Sequence, residues 1–174
     1  MLARTDPGNI ILIGMPGSGK STVGVLLAKR LGFGFVDTDL LIQQETGRTL
    51  QDIVDHDGYQ ALRHIEESVL LKLAVQRHVI STGGSAVYSS QGMAHLKSGG
   101  VVVFLDIPLP LVMERIGNYS LRGISRRPEQ SLEELFEERL ELYSRYADLC
   151  VKGEGSNQDE VCEAVIQGLN LHPE

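Results

Sequence analysis

Cysteine is scarce. Only Cys150 and Cys162 occur in 174 residues, and neither belongs to a CxxC pair. That excludes a zinc ribbon or a disulfide-stapled scaffold and leaves two free thiols as the expectation. Basic residues are in deficit, 16 Lys and Arg against 23 Asp and Glu, for a net charge of −7 and a pI near 5.2. A general nucleic-acid or anionic-membrane binder needs a basic face, so neither partner is expected. Long apolar runs are missing as well. Residues 10–13 are too few for a signal-peptide core and run into glycines, and residues 101–105 are cut short by Asp106 and Pro108. No targeting segment is visible, so a soluble, cytoplasmic protein is expected. Repeats, low-complexity tracts and long linkers are absent. No heptad or large apolar stripe calls for a partner chain, and a monomer is expected. The five histidines show no metal-ligand spacing.

What is present is enough for a core. Hydrophobic residues make up 42% of the chain, which argues against disorder, and the length fits a single domain over residues 1–174. Residues 1–8 read as a loose leader. Short apolar, β-branched runs at 10–13, 33–36, 79–80, 101–105 and 149–152 read as buried strands. Helical spacing predicts helices over 22–31, 40–45, 50–55, 59–76, 109–116, 131–147 and 157–169, with a turn or short helix at 93–98. Ser131 and Glu134 form a capping box. Buried strands alternating with helices predict an α/β fold, a parallel sheet covered by helices on both faces.

Residues 14–21 read GMPGSGKS and satisfy GxxxxGK[ST] at every fixed position, between a strand and a helix. Glycines let backbone N–H groups turn toward phosphate oxygens, and the helix N-terminus adds partial positive charge. Lys20 reaches the β- and γ-phosphates, and the Ser21 hydroxyl suits Mg²⁺. Gly14, Pro16, Gly17, Ser18, Gly19, Lys20, Ser21 and Thr22 are therefore the candidate nucleotide site. Asp37 and Asp39 flank Thr38 at the end of the second strand, where open α/β sheets bind ligands. On an extended chain they share one face, where one can serve a metal and the other an acceptor; helix N-capping is the plainer alternative. Arg63 opens a helix, a poor place for a cation. It either holds an anion or sits in solvent, with Glu66 at i+3 as an ion-pair partner. Gly83 and Gly84 permit close approach to a ligand or make a simple turn. Arg115, Arg122, Arg126 and Arg127 crowd an irregular stretch, 117–130, suited to a mobile phosphate-closing lid or to a solvated basic loop. Arg139 and Tyr143 lie one turn apart and can face one site.

Taken together, these motifs resemble the shikimate kinase family over roughly residues 9–169. The likeness is carried by the P-loop, Asp37-Thr38-Asp39, the segment from Asp57 to Glu66, Ser81-Thr82-Gly83-Gly84, and Arg139 with Tyr143. The resemblance implies a three-layer α/β/α P-loop fold with a five-stranded parallel sheet and a mobile lid. It implies ATP as phosphoryl donor, Mg²⁺ as cofactor and shikimate as acceptor. Residue by residue, it assigns Asp39, Arg63, Gly83, Gly84 and Arg139 to the acceptor, Ser21 and Asp37 to Mg²⁺, and Arg122 to the lid. Lys20, Asp39 and Arg122 are the implied catalytic set, and adenine contacts are expected near 153–158. Three positions depart from the family pattern. Ser85 replaces the third glycine, Leu62 replaces an aromatic, and Arg122-Gly123-Ile124-Ser125 stands where the family has RPLL. A kinase of another hydroxy or sugar acid, with Ser85 as a new contact, and a non-catalytic ATP-binding switch are the alternatives.

Overall fold

A computed structural model describes residues 6–116 and 123–172. The central strand β1 (Asn9–Ile13) is buried along its whole length, as expected of a strand covered on both faces. Its side chains alternate between two cores. Ile11 and Ile13 join one with Ile80, Phe104, Leu135 and Tyr143. Ile10 and Leu12 join the other with Val23, Leu27, Val103, Cys162 and Val165. The remaining strands are β2 (Gly34–Asp37), β3 (His78–Ser81), β4 (Gly100–Asp106) and β5 (Leu149–Lys152). All pairings are parallel, in the order β2-β3-β1-β4-β5. This is the expected three-layer sheet, and every C-terminal strand end opens on the same edge.

Eight helices are described: α1 (Lys20–Leu31), α2 (Thr38–Thr46), α3 (Leu50–Asp57), α4 (Tyr59–Lys72), α5 (Ser90–Ser98), α6 (Leu109–Ile116), α7 (Leu132–Tyr146) and α8 (Gln158–Gly168). Gly47 ends α2 at φ 67, the left-handed geometry glycine adopts without strain. Ser131 and Glu134 complete the expected capping box on α7. A third core cluster, Ile42, Ile53, Leu62 and Val69, binds α2 and α3 to α4. The position that departs from the family aromatic, Leu62, is thus buried between helices.

Three local expectations fail. Helix α4 stops at Lys72, not near 76, because Leu73 turns extended. Helix α2 begins at Thr38, so Asp37-Thr38-Asp39 is not an extended run. A 3₁₀ turn, Ala86–Tyr88, follows the glycine pair without having been anticipated. The expected lid falls partly outside the described residues, as does its Arg122. Its described part is mixed: Ile124 belongs to the main core and Ser125 is buried, whereas Arg127, Pro128 and Glu129 are exposed. Among the described residues no helix is long and apolar enough to cross a membrane. Both cysteines are free, Cys150 exposed and Cys162 buried.

Candidate active site

The P-loop leaves the C-terminal end of β1 and delivers its lysine at the first residue of α1. Gly14, Gly17 and Gly19 all have positive φ, at 149, 77 and 93, where an L side chain is strained. At Gly14 a Cβ would also lie 2.8 Å from the Leu105 carbonyl. Lys20 does not face solvent. Its side chain is buried and folds back on the loop, donating to the carbonyls of Gly14 at 2.8 Å and Met15 at 2.9 Å. Burial lowers its pKa to about 8, against the opposing pull of Asp39. A charge taken from water is costly unless it is paired, so this lysine is primed for an incoming anion.

Ser21 and Asp37 meet as expected. Ser21 Oγ donates to Asp37 Oδ2 at 2.8 Å and lies 3.2 Å from Ser81 Oγ. One carboxylate and two hydroxyls make a hard oxygen set that fits Mg²⁺, which is commonly held by one or two carboxylates and the substrate phosphates. No cluster of three His, Cys, Asp or Glu that could hold a metal ion is found among the described residues. The other oxygen of Asp37 caps α2, accepting from the Asp39 and Leu40 amides. Capping and metal binding, weighed as alternatives from the sequence, are both available to one carboxylate.

Asp39 stands in the first turn of α2, and its Oδ1 is buried without a hydrogen-bond partner. Burial, seconded by Asp37, raises its pKa. Gly83 is what admits it. A Cβ at Gly83 would lie 2.6 Å from Asp39 Oδ1 and closer still to Glu66 Oε2. The Gly83 N–H is not free for an acceptor, because it donates to Thr38 Oγ1 at 3.0 Å. Gly84 leaves room for Arg139, whose Nη1 would be 2.6 Å from a Cβ there, and its carbonyl accepts from Tyr143 at 2.7 Å. Arg139 and Tyr143 do face one site, both almost fully buried. Arg139 Nε has no partner.

Arg63 does not pair with Glu66. Glu66 instead accepts from Ser85 Oγ at 2.6 Å. Arg63 stacks on Tyr88 at 3.7 Å and Tyr59 at 4.9 Å and donates to both oxygens of Ser125. The arginine cluster read around the lid disperses. Arg115 donates to the Gly17 carbonyl, while Arg126 and Arg127 turn to Gln130 and Glu138. The turn at 153–157 follows β5 at the same edge of the sheet as the P-loop.

These residues enclose two cavities of about 310 Å³ each. One is lined by Gly17, Lys20, Ser21 and Asp37, the other by Gly83, Ser85, Ser125 and Arg139. Pro16, Asp39 and Gly84 line both. The arrangement is a glycine-loop cavity beside a second cavity that holds Arg139, and an aspartate with a partnerless Oδ1 lines both.

A family model described as shikimate kinase matches residues 16–170. The chain belongs to the shikimate kinase family. A shikimate kinase of Thermodesulfovibrio yellowstonii is 38% identical over 162 residues, 91% of this chain and 93% of that one. Another, of a Synechococcus strain, is 41% identical over 171 residues, 95% of this chain and 88% of that one. The solved structure of the Acinetobacter baumannii shikimate kinase in complex with shikimate matches with a TM-score of 0.87 at 32% identity, over 96% of this chain and 94% of that one. Like its family, the chain is a small-molecule kinase, a phosphotransferase.

The sequence assigns no role to Tyr88, Thr38, Ser81 or Ser125. Thr38 and Ser81 stand inside family motifs and Ser125 inside the altered lid, whereas Tyr88 carries no signal at all. Tyr88 and Ser125 reach the arginines only through the fold.

Proposed function

We propose that this protein transfers the γ-phosphoryl group of ATP to a hydroxyl of shikimate, giving shikimate 3-phosphate and ADP in aromatic amino acid biosynthesis. The observation that carries the reading is the pair of adjoining cavities with Asp39 at their junction. The P-loop amides and Lys20 hold the phosphates, and the acceptor lies beside Asp39. With its raised pKa and its unpartnered Oδ1, Asp39 orients the attacking hydroxyl and takes its proton. Arg63 and Arg139 hold the carboxylate, where guanidinium forks form paired hydrogen bonds. Gly83 and Gly84 supply the space for these groups. Ser21 and Asp37 would hold Mg²⁺, which when bound offsets phosphate charge. Arg122, outside the described residues, is assigned to the transferring phosphoryl by its place in the family pattern. Catalysis of this kind is positioning and charge stabilisation.

The alternative of a different acceptor rested on Ser85 as a new contact. Its hydroxyl proton is committed to Glu66, so the Ser85 side chain has no donor left to offer a different acceptor. The large exposed apolar residues Val25, Leu40, Leu71 and Met113 fall one to a helix, which favours a monomer; the cytoplasm is the proposed location for an ATP-dependent biosynthetic step. The test is a coupled ADP-release assay across shikimate and related hydroxy and sugar acids. Turnover is expected with shikimate ahead of the others. A stronger response to another acid, or nucleotide binding without turnover on any, overturns the reading.

A further inference from the structure

Both acceptor arginines are already occupied, and by one residue. Arg63 donates from Nε to Ser125 Oγ at 2.9 Å and from Nη2 to the Ser125 carbonyl at 3.4 Å. Arg139 Nη2 donates to the same carbonyl at 2.8 Å. Ser125 Oγ passes its own proton to the Tyr59 carbonyl at 3.3 Å, which leaves its lone pairs to Arg63. Two oxygens of one residue thus fill one edge of a guanidinium and share a second guanidinium, as a carboxylate would.

Neither arginine can leave to meet an acceptor elsewhere. Arg63 is held between the Tyr88 and Tyr59 rings, and Arg139 is 1% exposed. Ser125 is itself 2% exposed and is carried by a segment whose Ile124 sits in the core. Position 125 is also one where the sequence departs from the family pattern, with a hydroxyl in place of leucine.

We propose that Ser125 is a specificity-determining residue that occupies the guanidinium fork of Arg63 and Arg139, so that an acceptor binds by displacing it. The proposal rests on the reading of the acceptor as a carboxylic acid. It makes acceptor affinity a difference between two sets of hydrogen bonds. A neutral polyol, unable to replace Ser125 at two guanidinium groups, is rejected more strongly than by an open fork.

The direction of one measurement separates this from a merely structural role. Ser125→Ala removes one of the two competing oxygens. In calorimetric titration with shikimate and no nucleotide, the variant is expected to bind more tightly by roughly three- to ten-fold, the equivalent of one net hydrogen bond, with ATP affinity unchanged. A residue that only props the arginines in place gives weaker binding when lost. Ser125→Cys, close in volume but a poor acceptor, is expected to move the same way and serves if the alanine variant does not fold. Equal or weaker shikimate binding in the variants overturns the proposal. If the unaltered protein binds no shikimate, the acceptor reading fails, and the occupied fork is judged by itself from the ¹⁵N spectrum of arginine side chains. There the Arg63 Nε–H is expected to exchange slowly in the unaltered protein and quickly in both variants; no difference overturns the proposal.

Discussion

Lys20 carries its charge into a buried site where two carbonyls are its nearest partners. With a pKa of about 8, it is mostly protonated at pH 7 and mostly neutral at pH 9. Phosphate binds the charged form, so nucleotide binding above pH 8 must take up a proton. Calorimetry in buffers of different ionisation enthalpy is expected to show proton uptake at pH 9 and little at pH 7, with ATP affinity falling as pH rises through 8. Equal uptake at both pH values rules out Lys20 as the linked group. Glu66 shows the opposite sign. Burial, opposed by the Ser85 hydrogen bond and reinforced by Asp39, raises its pKa from 4.5 to about 7. An acid raised in the folded state contributes stability that is full below pH 4.5 and lost as pH rises toward 7. The scale is on the order of 3 kcal/mol. The urea midpoint of the unaltered protein is expected to fall between pH 5 and 8. Glu66→Gln, whose amide oxygen can still accept from Ser85, should flatten that fall. An equal slope in the variant assigns the titration to another group.

At the scale of elements, the glycine pair after β3 is a spacing device between α2, α4 and α7. Gly83→Ala puts a Cβ 2.6 Å from Asp39 Oδ1, and overpacking of this kind costs about 1–3 kcal/mol. A lower melting temperature and a reduced kcat/KM for the acceptor are expected, with ATP affinity little changed. A variant matching the unaltered protein in both shows that the loop has room to shift. The lid poses a different question. From the sequence, restoring the family's proline at 123 promises a stiffer lid. The structure reverses that expectation. Gly123 has φ 73, and a Cβ there would be 3.1 Å from the Gln51 amide nitrogen, whereas proline is locked near −65°. Gly123→Pro should therefore dislodge the segment from α3 and lower the melting temperature; an unchanged one shows that the backbone re-forms without loss. The sheet, the helix caps and the P-loop were legible because each is written in local pattern: β-branched runs, Ser131 with Glu134, glycines at fixed intervals. The turn at Ala86–Tyr88, the early end of α4 and the burial of Lys20 were not. Hydrophobic spacing does not encode them: Lys20 folds back on carbonyls of its own loop, the turn closes through bonds three residues long, and Leu73 leaves α4 as extended backbone. The contact of Ser125 with Arg63 lies beyond any motif for another reason, since it spans 62 positions of sequence.

At the scale of the whole molecule, most of the acceptor site was named by the family pattern, and the fold decides how its members share their bonds. Asp37 divides its oxygens between a helix cap and Ser21, and the Gly83 amide serves Thr38. The strand order has a further consequence, for the order in which the molecule comes into being. The phosphate loop hangs from β1, yet β1 is hydrogen-bonded only to β3 and β4, which begin at residues 78 and 100. Parallel neighbours this far apart are slow to close, because the intervening chain must be gathered first. A chain emerging from the ribosome thus exposes all of GMPGSGKS long before it has anything to hold the loop in shape. A fragment ending at residue 98 contains every P-loop residue and should bind no nucleotide, whereas one reaching residue 106 is the first to offer β1 both of its neighbours. Nucleotide retention by the shorter fragment would show that the loop needs less of the sheet than its topology implies. In this protein the first functional motif to be synthesised must wait for strands that follow far along the chain.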